Sequence, residues 1–457
     1  METVLPGHVA SGLMMQANDE HDKEEGKYPD FVAYHFLNAF GELMAMEEDG
    51  SNTQKFLEQG LSVDGSSIRG MASVEKSDLR LIPEPDSFLS LRLGTEGNNG
   101  GKNAFTHHRF LAHLVDENGM PHPRDPRGIL RRLVDNAHGM GFEPLMFSEI
   151  EFFVVDSDTG KPADTAGYCS LPPIDTGYEF RHQLGGVCKD AGMKVKRIHH
   201  ECGPGQNEIE LNLTPCMKNA DDSLLCQWIL QLLAAQRNQR IIFSPKPFAD
   251  QAGNGLHHHI QFLDLKTGRN VFANPEFGEE EAKIDPANTR RLSETCKHGI
   301  AGLLKYASEI TAVFAASNES FVRLKPGFEA PGYAAWDFSN RTALVRIPHC
   351  SQATMRFEYR GGDLSGSVHL FGSVLLAAVL RGIEEKLELQ LNSNFNVEEL
   401  SPEDLKKQGI RQVPKTLEEC LDILKTSEFL KNALGEEMIQ VLIERDEELL
   451  LDSAQTV

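Results

Sequence analysis

"NGLHHHIQF", residues 254–262, sets three imidazoles between apolar neighbours. Read as a strand, its side chains alternate between two faces. His257, His259 and Gln261 then share one face, and Leu256, His258, Ile260 and Phe262 the other. Taken alone, a solvated polar face accounts for this stretch as well as a ligand face does. What decides is whether other strands aim matching chemistry at the same place. "MFSEIEFFVV" (146–155) sets Glu149, Glu151 and Phe153 opposite Ile150, Phe152 and Val154. "QNEIELNL" (206–213) sets Glu208, Glu210 and Asn212 opposite Ile209, Leu211 and Leu213. "MRFEYR" (355–360) sets Arg356, Glu358 and Arg360 opposite Met355, Phe357 and Tyr359.

Solvated strand faces usually carry Thr, Ser, Lys and mixed charges. These faces carry carboxylate and imidazole, with arginines at one edge, and Glu201 in "HHECGPGQ" (199–206) adds another acid. Crowded carboxylates resist joint ionisation unless a cation compensates. The pattern therefore predicts a concave sheet that gathers divalent ions. Oxygen-rich ligation with imidazole suits Mg²⁺ or Mn²⁺, and the absence of thiolates from these faces weighs against structural zinc. Arg323, Arg341, Arg346, Arg356 and Arg360 form a second group, suited to bidentate contact with phosphates and carboxylates. For any one of them a surface salt bridge is the simpler reading. Metals and arginines together point to phosphoryl transfer. No G-x-x-x-x-G-K-[ST] loop is present, which excludes a P-loop enzyme.

The 457 residues can hold two or three domains, and 40% hydrophobic with 25% charged residues is ordinary for a globular chain. A net charge of −23 argues against nucleic acid as partner. Eight scattered cysteines without a C-x-x-C pair suggest reduced thiols and a cytoplasmic location. Neither a signal peptide nor a membrane span is expected, the longest apolar run being "GSVLLAAVL".

Residues 1–29 contain "ANDEHDKEEGKYP" and read as a mobile acidic arm. Residues 30–123 read as a small β-rich domain, with a loop at "LGTEGNNGGKNAF" (93–105). A second domain, 124–457, opens with a helix capped by Asp125, started by Pro126 and ended by Gly139 or Gly141. Short strands then alternate with long helical patterns, among them 220–236, 289–310 and 367–389. Ser401-Pro402 starts a helix that Gly409 stops. Thr416 and Glu419 form a capping box for another that runs to Gly435.

The runs "VDGSSIRG", "DPRGIL", "EIEFF", "HHECGPGQNEIE", "PKPFADQAGNGLHHH", "RLKPGFEAPGY", "NRTALVRIP" and "RFEYR" resemble the glutamine synthetase family, from about residue 30 to 450. The resemblance implies an α+β fold: a small N-terminal β-grasp domain, then a catalytic domain whose curved antiparallel sheet is flanked by helices. It implies an ATP-dependent glutamate–ammonia ligase that works through a γ-glutamyl phosphate, with two or three Mg²⁺ or Mn²⁺ ions per site. It also implies homo-oligomers, hexameric or dodecameric, with each site between neighbouring subunits. By resemblance, Glu151, Glu201 and Glu208 hold one metal, and Glu149, His257 and Glu358 the other. His259 lies near the transferred phosphoryl group, with Arg341, Arg346 and Arg356 along the ATP phosphates. Arg323, Arg360 and the backbone of Gly253 hold glutamate. Glu329 covers the intermediate, and Asp64 of a neighbouring subunit binds and deprotonates ammonium.

The chain departs from the family pattern at several positions. Ala252 replaces an Asn beside glutamate, while Lys196 replaces a Glu and Gln261 a Ser near the nucleotide. "GGDLSGSVHL" replaces a Pro-rich run after "RFEYR", and Glu398 stands where some members carry a modifiable tyrosine. The chain ends at "LLLDSAQTV", short of the strap that stacks two rings. Two alternatives stay open: a γ-glutamyl-amide ligase using an organic primary amine, and a catalytically silent structural or regulatory oligomer.

Overall fold

A computed structural model describes residues 28–93, 105–277, 288–325, 330–390 and 396–455. The Gly/Asn-rich loop at 94–104, Glu329 and the side chain of Glu398 lie outside the described residues. Tyr28, at the end of the acidic arm, already packs its ring 5.9 Å from Phe88 and 6.1 Å from Phe110.

The β-grasp domain is a six-stranded sheet. Its strands are β1 (Phe31–Leu37), β2 (Leu43–Asp49), β3 (Leu61–Asp64), β4 (Asp78–Pro83), β5 (Leu89–Leu93) and β6 (Phe105–Val115). They run in the order β2-β1-β6-β4-β3, with β5 also on β6, and β1 pairs β6 in parallel. Asp64 ends β3 at the sheet edge. Its carboxylate accepts the Ser66 N–H at 2.9 Å and the Ser66 and Ser67 hydroxyls at 2.6 and 2.7 Å.

The second domain opens with α1 (Pro126–Gly139), where the Asp125 side chain accepts the Arg127 N–H and Pro126 takes the first turn. A nine-stranded sheet follows. It contains β7 (Phe142–Asp156), β8 (Val195–His200), β9 (Gln206–Leu211), β10 (Thr214–Pro215), β11 (Gln239–Ile242) and β12 (Leu256–Asp264). The short β13 (Trp336–Phe338), β14 (Val345–Ile347) and β15 (Phe357–Tyr359) complete it. The order is β13-β14-β15-β12-β7-β9-β8, antiparallel except for β13 on β14.

One face of this sheet is packed against helices. The helix Val368–Glu385 is apolar on nearly every side and accordingly buried. Its Phe371 meets the His258 ring edge-on at 4.6 Å. It crosses the helix Glu294–Lys305 at a pair of glycines, where a Cβ on Gly302 would fall 2.1 Å from the Ala378 carbonyl oxygen. Cys216–Ala235 also backs the sheet, and its Trp228 reaches His35 and His107 of the β-grasp domain.

Two expected helices are divided. The pattern over 289–310 becomes a 3-10 turn at Thr289–Arg291, then Glu294–Lys305, with Tyr306 breaking the run before Ala307–Phe314. Tyr306 stacks on Phe429 at 3.9 Å, a tertiary contact that periodicity cannot reveal. The helix expected from Thr416 to Gly435 breaks at Ser427, which ends Leu417–Thr426 and caps Glu428–Leu434. Among the described residues, no helix is long and apolar enough to cross a membrane.

Candidate active site

The strand register aligns side chains from distant segments into rows across the open face of the sheet. The first row is His199, Glu208, Glu151. The second is Arg197, Glu210, Glu149, His257. The third is Phe147, His259, Glu358, Arg346. Alternation thus divides the opening histidines as expected. His257 and His259 join the rows, while His258 points into the packed face, where burial lowers its pKa to about 3 and keeps it neutral. None of the three is solvated: they are 6%, 3% and 2% exposed in chain order.

Two sets of ligand atoms emerge, each within 4.8 Å of one another: Glu149, His257, Glu358 and His199, Glu201, Glu208. Glu149 hydrogen-bonds His257 Nδ1 at 3.2 Å and His259 Nε2 at 2.9 Å. Burial alone would raise its pKa, but the two imidazoles win and hold it well below the usual range. Glu358 is also buried. Its pKa falls to about 2 because His259, Arg360 (2.6 Å) and Arg346 outweigh that burial. Glu208 is the opposite case. Burial, reinforced by the charges of Glu149, Glu151, Glu201 and Glu210, pushes its carboxyl well above the ordinary value.

Each set offers two carboxylates, one imidazole and no thiolate, which fits a hard divalent cation. Buried His199 Nδ1 has no hydrogen-bond partner and lies 3.9 Å from Glu208 Oε1. An orphaned nitrogen beside a carboxylate that resists its own charge is what a missing cation would leave. The residues present therefore fit the metals that the sequence implies. Glu151 stands beside these sets without joining either. Its Oε2 accepts the Gly255 N–H at 2.7 Å, and its Oε1 is 3.9 Å from His257 Nδ1.

A cavity of about 480 Å³ opens over the first two rows, lined by Glu149, Glu151, Glu201, Glu208 and His257 together with Gly253, Arg323, Arg341 and Arg360. Buried Arg323 donates to the carbonyls of Gly361 at 2.9 Å and Arg360 at 3.3 Å, which fixes its guanidinium. Gly253 is needed where it stands, since a Cβ there would fall 2.4 Å from the Pro245 oxygen and 3.0 Å from Arg323 Cγ. Beyond the third row, Arg356 Nε donates to His259 Nδ1 at 3.2 Å, and His259 stacks on Phe147 at 4.0 Å. Gln261 Nε2 donates to the Ala353 carbonyl at 2.8 Å.

Fourteen of the fifteen site residues singled out from the sequence are described, and all of those but Asp64 gather on or beside this face. Asp64 is exposed on the β-grasp edge and does not line the cavity. Sequence reasoning passed over His199, Phe147, Gln206, Tyr168 and Cys202. His199 could have been found, because it precedes Glu201 by one strand period. Tyr168 and Cys202 come from loops and carry no such signal.

Comparison with known proteins agrees with this geometry. Residues 29–97 match the family model for the glutamine synthetase β-grasp domain, and residues 123–449 that for the glutamine synthetase catalytic domain. The chain is 32% identical over 423 residues to the glutamine synthetase of Mycobacterium tuberculosis, covering 90% of each chain. It is 30% identical over 422 residues to that of Thermotoga maritima, covering 91% of this chain and 92% of the other. The fold is shared with the Plasmodium falciparum glutamine synthetase solved by cryo-EM (TM-score 0.78, 22% identity, 96% and 95% covered). It is shared too with a structure described as a GmaS/ADP complex (TM-score 0.80, 22% identity, 94% of each covered).

Proposed function

The chain belongs to the glutamine synthetase family, and from that premise we propose that it ligates ammonia to the γ-carboxylate of glutamate at the expense of ATP. The products are glutamine, ADP and phosphate, and γ-glutamyl phosphate is the intermediate. The observation that carries this reading is the convergence of two carboxylate–imidazole sets and three arginines on one cavity.

Glutamate is held by Arg323 and Arg360, beside the Gly253 backbone, with its γ-carboxylate toward the first two rows. Arg341, Arg346 and Arg356 lie along the phosphates of ATP, with His259 at the transferred group. Mg²⁺ or Mn²⁺, held by Glu149, His257 and Glu358 and by Glu201 and Glu208 with Glu151 or His199, would supply the charge that offsets the transferring phosphoryl group. Positioned guanidinium groups stabilise the charge that develops there without reorganising at the moment of reaction. Asp64 of a second copy binds ammonium and takes its proton, so the working form is a homo-oligomer, hexameric or dodecameric. Its exposure on a sheet edge away from the cavity supports that role. Glu329 shields the acyl phosphate from water. The cytoplasm is the expected compartment, given eight free cysteines.

One observation favours an organic amine as co-substrate: Ala252, small and apolar, lines the cavity beside Gly253. The test is glutamate-dependent ADP release with ammonium, methylamine, ethanolamine and putrescine at saturating glutamate. Ammonium is expected to give the highest kcat/KM. An organic amine ahead by tenfold, about 1.4 kcal/mol in the transition state, would replace ammonia in the reading. No glutamate-dependent ADP release with any amine would overturn it.

A further inference from the structure

Two residues before Glu208 on β9, and on the same face, stands Gln206. It is 1% exposed, and each polar atom of its side chain has a partner. Oε1 accepts the Gly203 N–H at 3.0 Å. Nε2 donates to the Gly253 carbonyl at 3.0 Å and to Asn254 Oδ1 at 3.2 Å. These partners fix which way the amide faces, because an N–H needs the oxygen and a carbonyl needs the NH₂ group.

On one side of this amide lies the turn that presents Glu201. β8 reaches that turn in fixed register. Val195 pairs with Leu211 and Arg197 with Glu210, which leaves Lys196 as a bulge, and the pairing then runs unbroken to His200 opposite Asn207. The Gln206 main chain closes the turn, accepting the Glu201 N–H and donating to the Gly203 carbonyl, both at 2.8 Å. From the packed side, His200 Nδ1 donates to the Glu201 carbonyl at 2.7 Å and Nε2 meets Asp164 at 3.0 Å. Asp164 also accepts the Gly205 N–H at 2.7 Å. A turn held at Glu201, Gly203 and Gly205 has little freedom to yield locally.

On the other side lies the peptide joining Gly253 to Asn254. Its oxygen is held by Gln206, and its N–H donates to the Pro245 carbonyl at 2.9 Å. Gly253 and Glu201 both line the cavity, and Gln206 is bonded to the backbone of each.

We propose that Gln206 is a positioning residue shared by the two halves of the site. It sets the Gly253 backbone against glutamate from the same turn that presents Glu201 to a divalent ion, so each ligand binds more tightly when the other is present. This rests on the reading of the cavity as the glutamate and metal site, and it is independent of the amine. Coupling of this kind is reciprocal.

Calorimetric titration of glutamate into the full chain, with and without Mn²⁺, tests it. In the wild type Mn²⁺ should tighten glutamate binding. In Gln206→Met, which keeps the shape and loses the amide, that gain should shrink by about tenfold, the scale of two or three lost hydrogen bonds. In turnover, KM for glutamate should rise while KM for ATP holds and most of kcat returns at saturating glutamate. A gain undiminished in the variant, or a fall in kcat at unchanged KM, would overturn the proposal. Should the variant not fold, amide exchange in the wild type decides. Mn²⁺ alone should slow exchange over residues 252–256, and glutamate alone over 201–206; absence of either effect would overturn it. A wild type that binds no glutamate would instead overturn the reading of the cavity beneath it.

Discussion

Replacing Glu208 by glutamine should make the protein more robust without metal and less robust with it. Glu208 is buried among four other carboxylates, and its folded-state pKa lies well above the ordinary glutamate value. The folded state therefore holds this proton more tightly than the unfolded chain does. The stability this contributes is complete below about pH 4.3, the unfolded value, and is lost as the pH rises through the raised folded value. Glutamine cannot ionise, so the variant escapes that loss. In chelator, above the raised value, Glu208→Gln should be the more stable protein, and acidification should close the gap. Metal reverses the order. Disturbing only the groups that orient metal ligands costs 10–100-fold in affinity, so loss of a direct ligand should cost at least about 100-fold, or roughly 2.7 kcal/mol. At a free ion concentration of about 100 times the wild-type Kd, the wild type gains about 2.7 kcal/mol of stability and the variant, then at its own Kd, about 0.4. Urea denaturation with chelator and with Mg²⁺, across a pH series, reads both effects. A variant weaker than wild type in chelator at the alkaline end, or one stabilised equally by Mg²⁺, would refute the argument.

Three further outcomes are expected. Asp64→Ala should leave the fold intact and abolish amide formation. Co-expressed with Glu208→Gln chains, it should recover about a quarter of wild-type activity if two chains build each site, whereas inactive mixtures would place the whole site within one chain. Arg360→Met removes one partner of a fully buried carboxylate and should cost about 3 kcal/mol in chelator-treated protein, part of it restored by Mg²⁺ in the same urea titration. Gly302→Ala should lower stability by about 2–3 kcal/mol through overpacking, because the Ala378 carbonyl lies where the new Cβ must go; a thermal midpoint equal to wild type would show that the two helices can separate freely.

The rows were legible because strand alternation is a strict period of two, and Glu149, Glu151, Glu208, His257 and Glu358 all obey it. Their shared destination followed from like chemistry recurring on separate strands. Lys196 was legible only as an odd residue type, since a bulge leaves no mark in a pattern of alternating polar and apolar positions. The breaks at Tyr306 and Ser427 were hidden for a related reason. Helical periodicity continues across both, and contacts made elsewhere in the chain, such as Tyr306 on Phe429, interrupt it. Asp64 could be found only through the family motif, because its carboxylate is engaged by Ser66 and Ser67 of its own turn and shares no pattern with the rows.

The rows also determine which changes of length the chain can tolerate. Deleting one residue from β7 ahead of Glu149 would turn Ile150 and Phe152 toward the cavity and bury two carboxylates among the helices. Strands that carry ligands thus have something like a reading frame, in which a substitution alters one group and a single insertion or deletion inverts the whole segment. Variation in length among relatives should then collect in the connections, such as residues 361–367. β8 is the exception, because its bulge already absorbs one residue of slack. Removing Lys196 outright would straighten the ladder and keep His199 in phase with Glu208, which makes this position a natural hinge for lengthening or shortening the sheet.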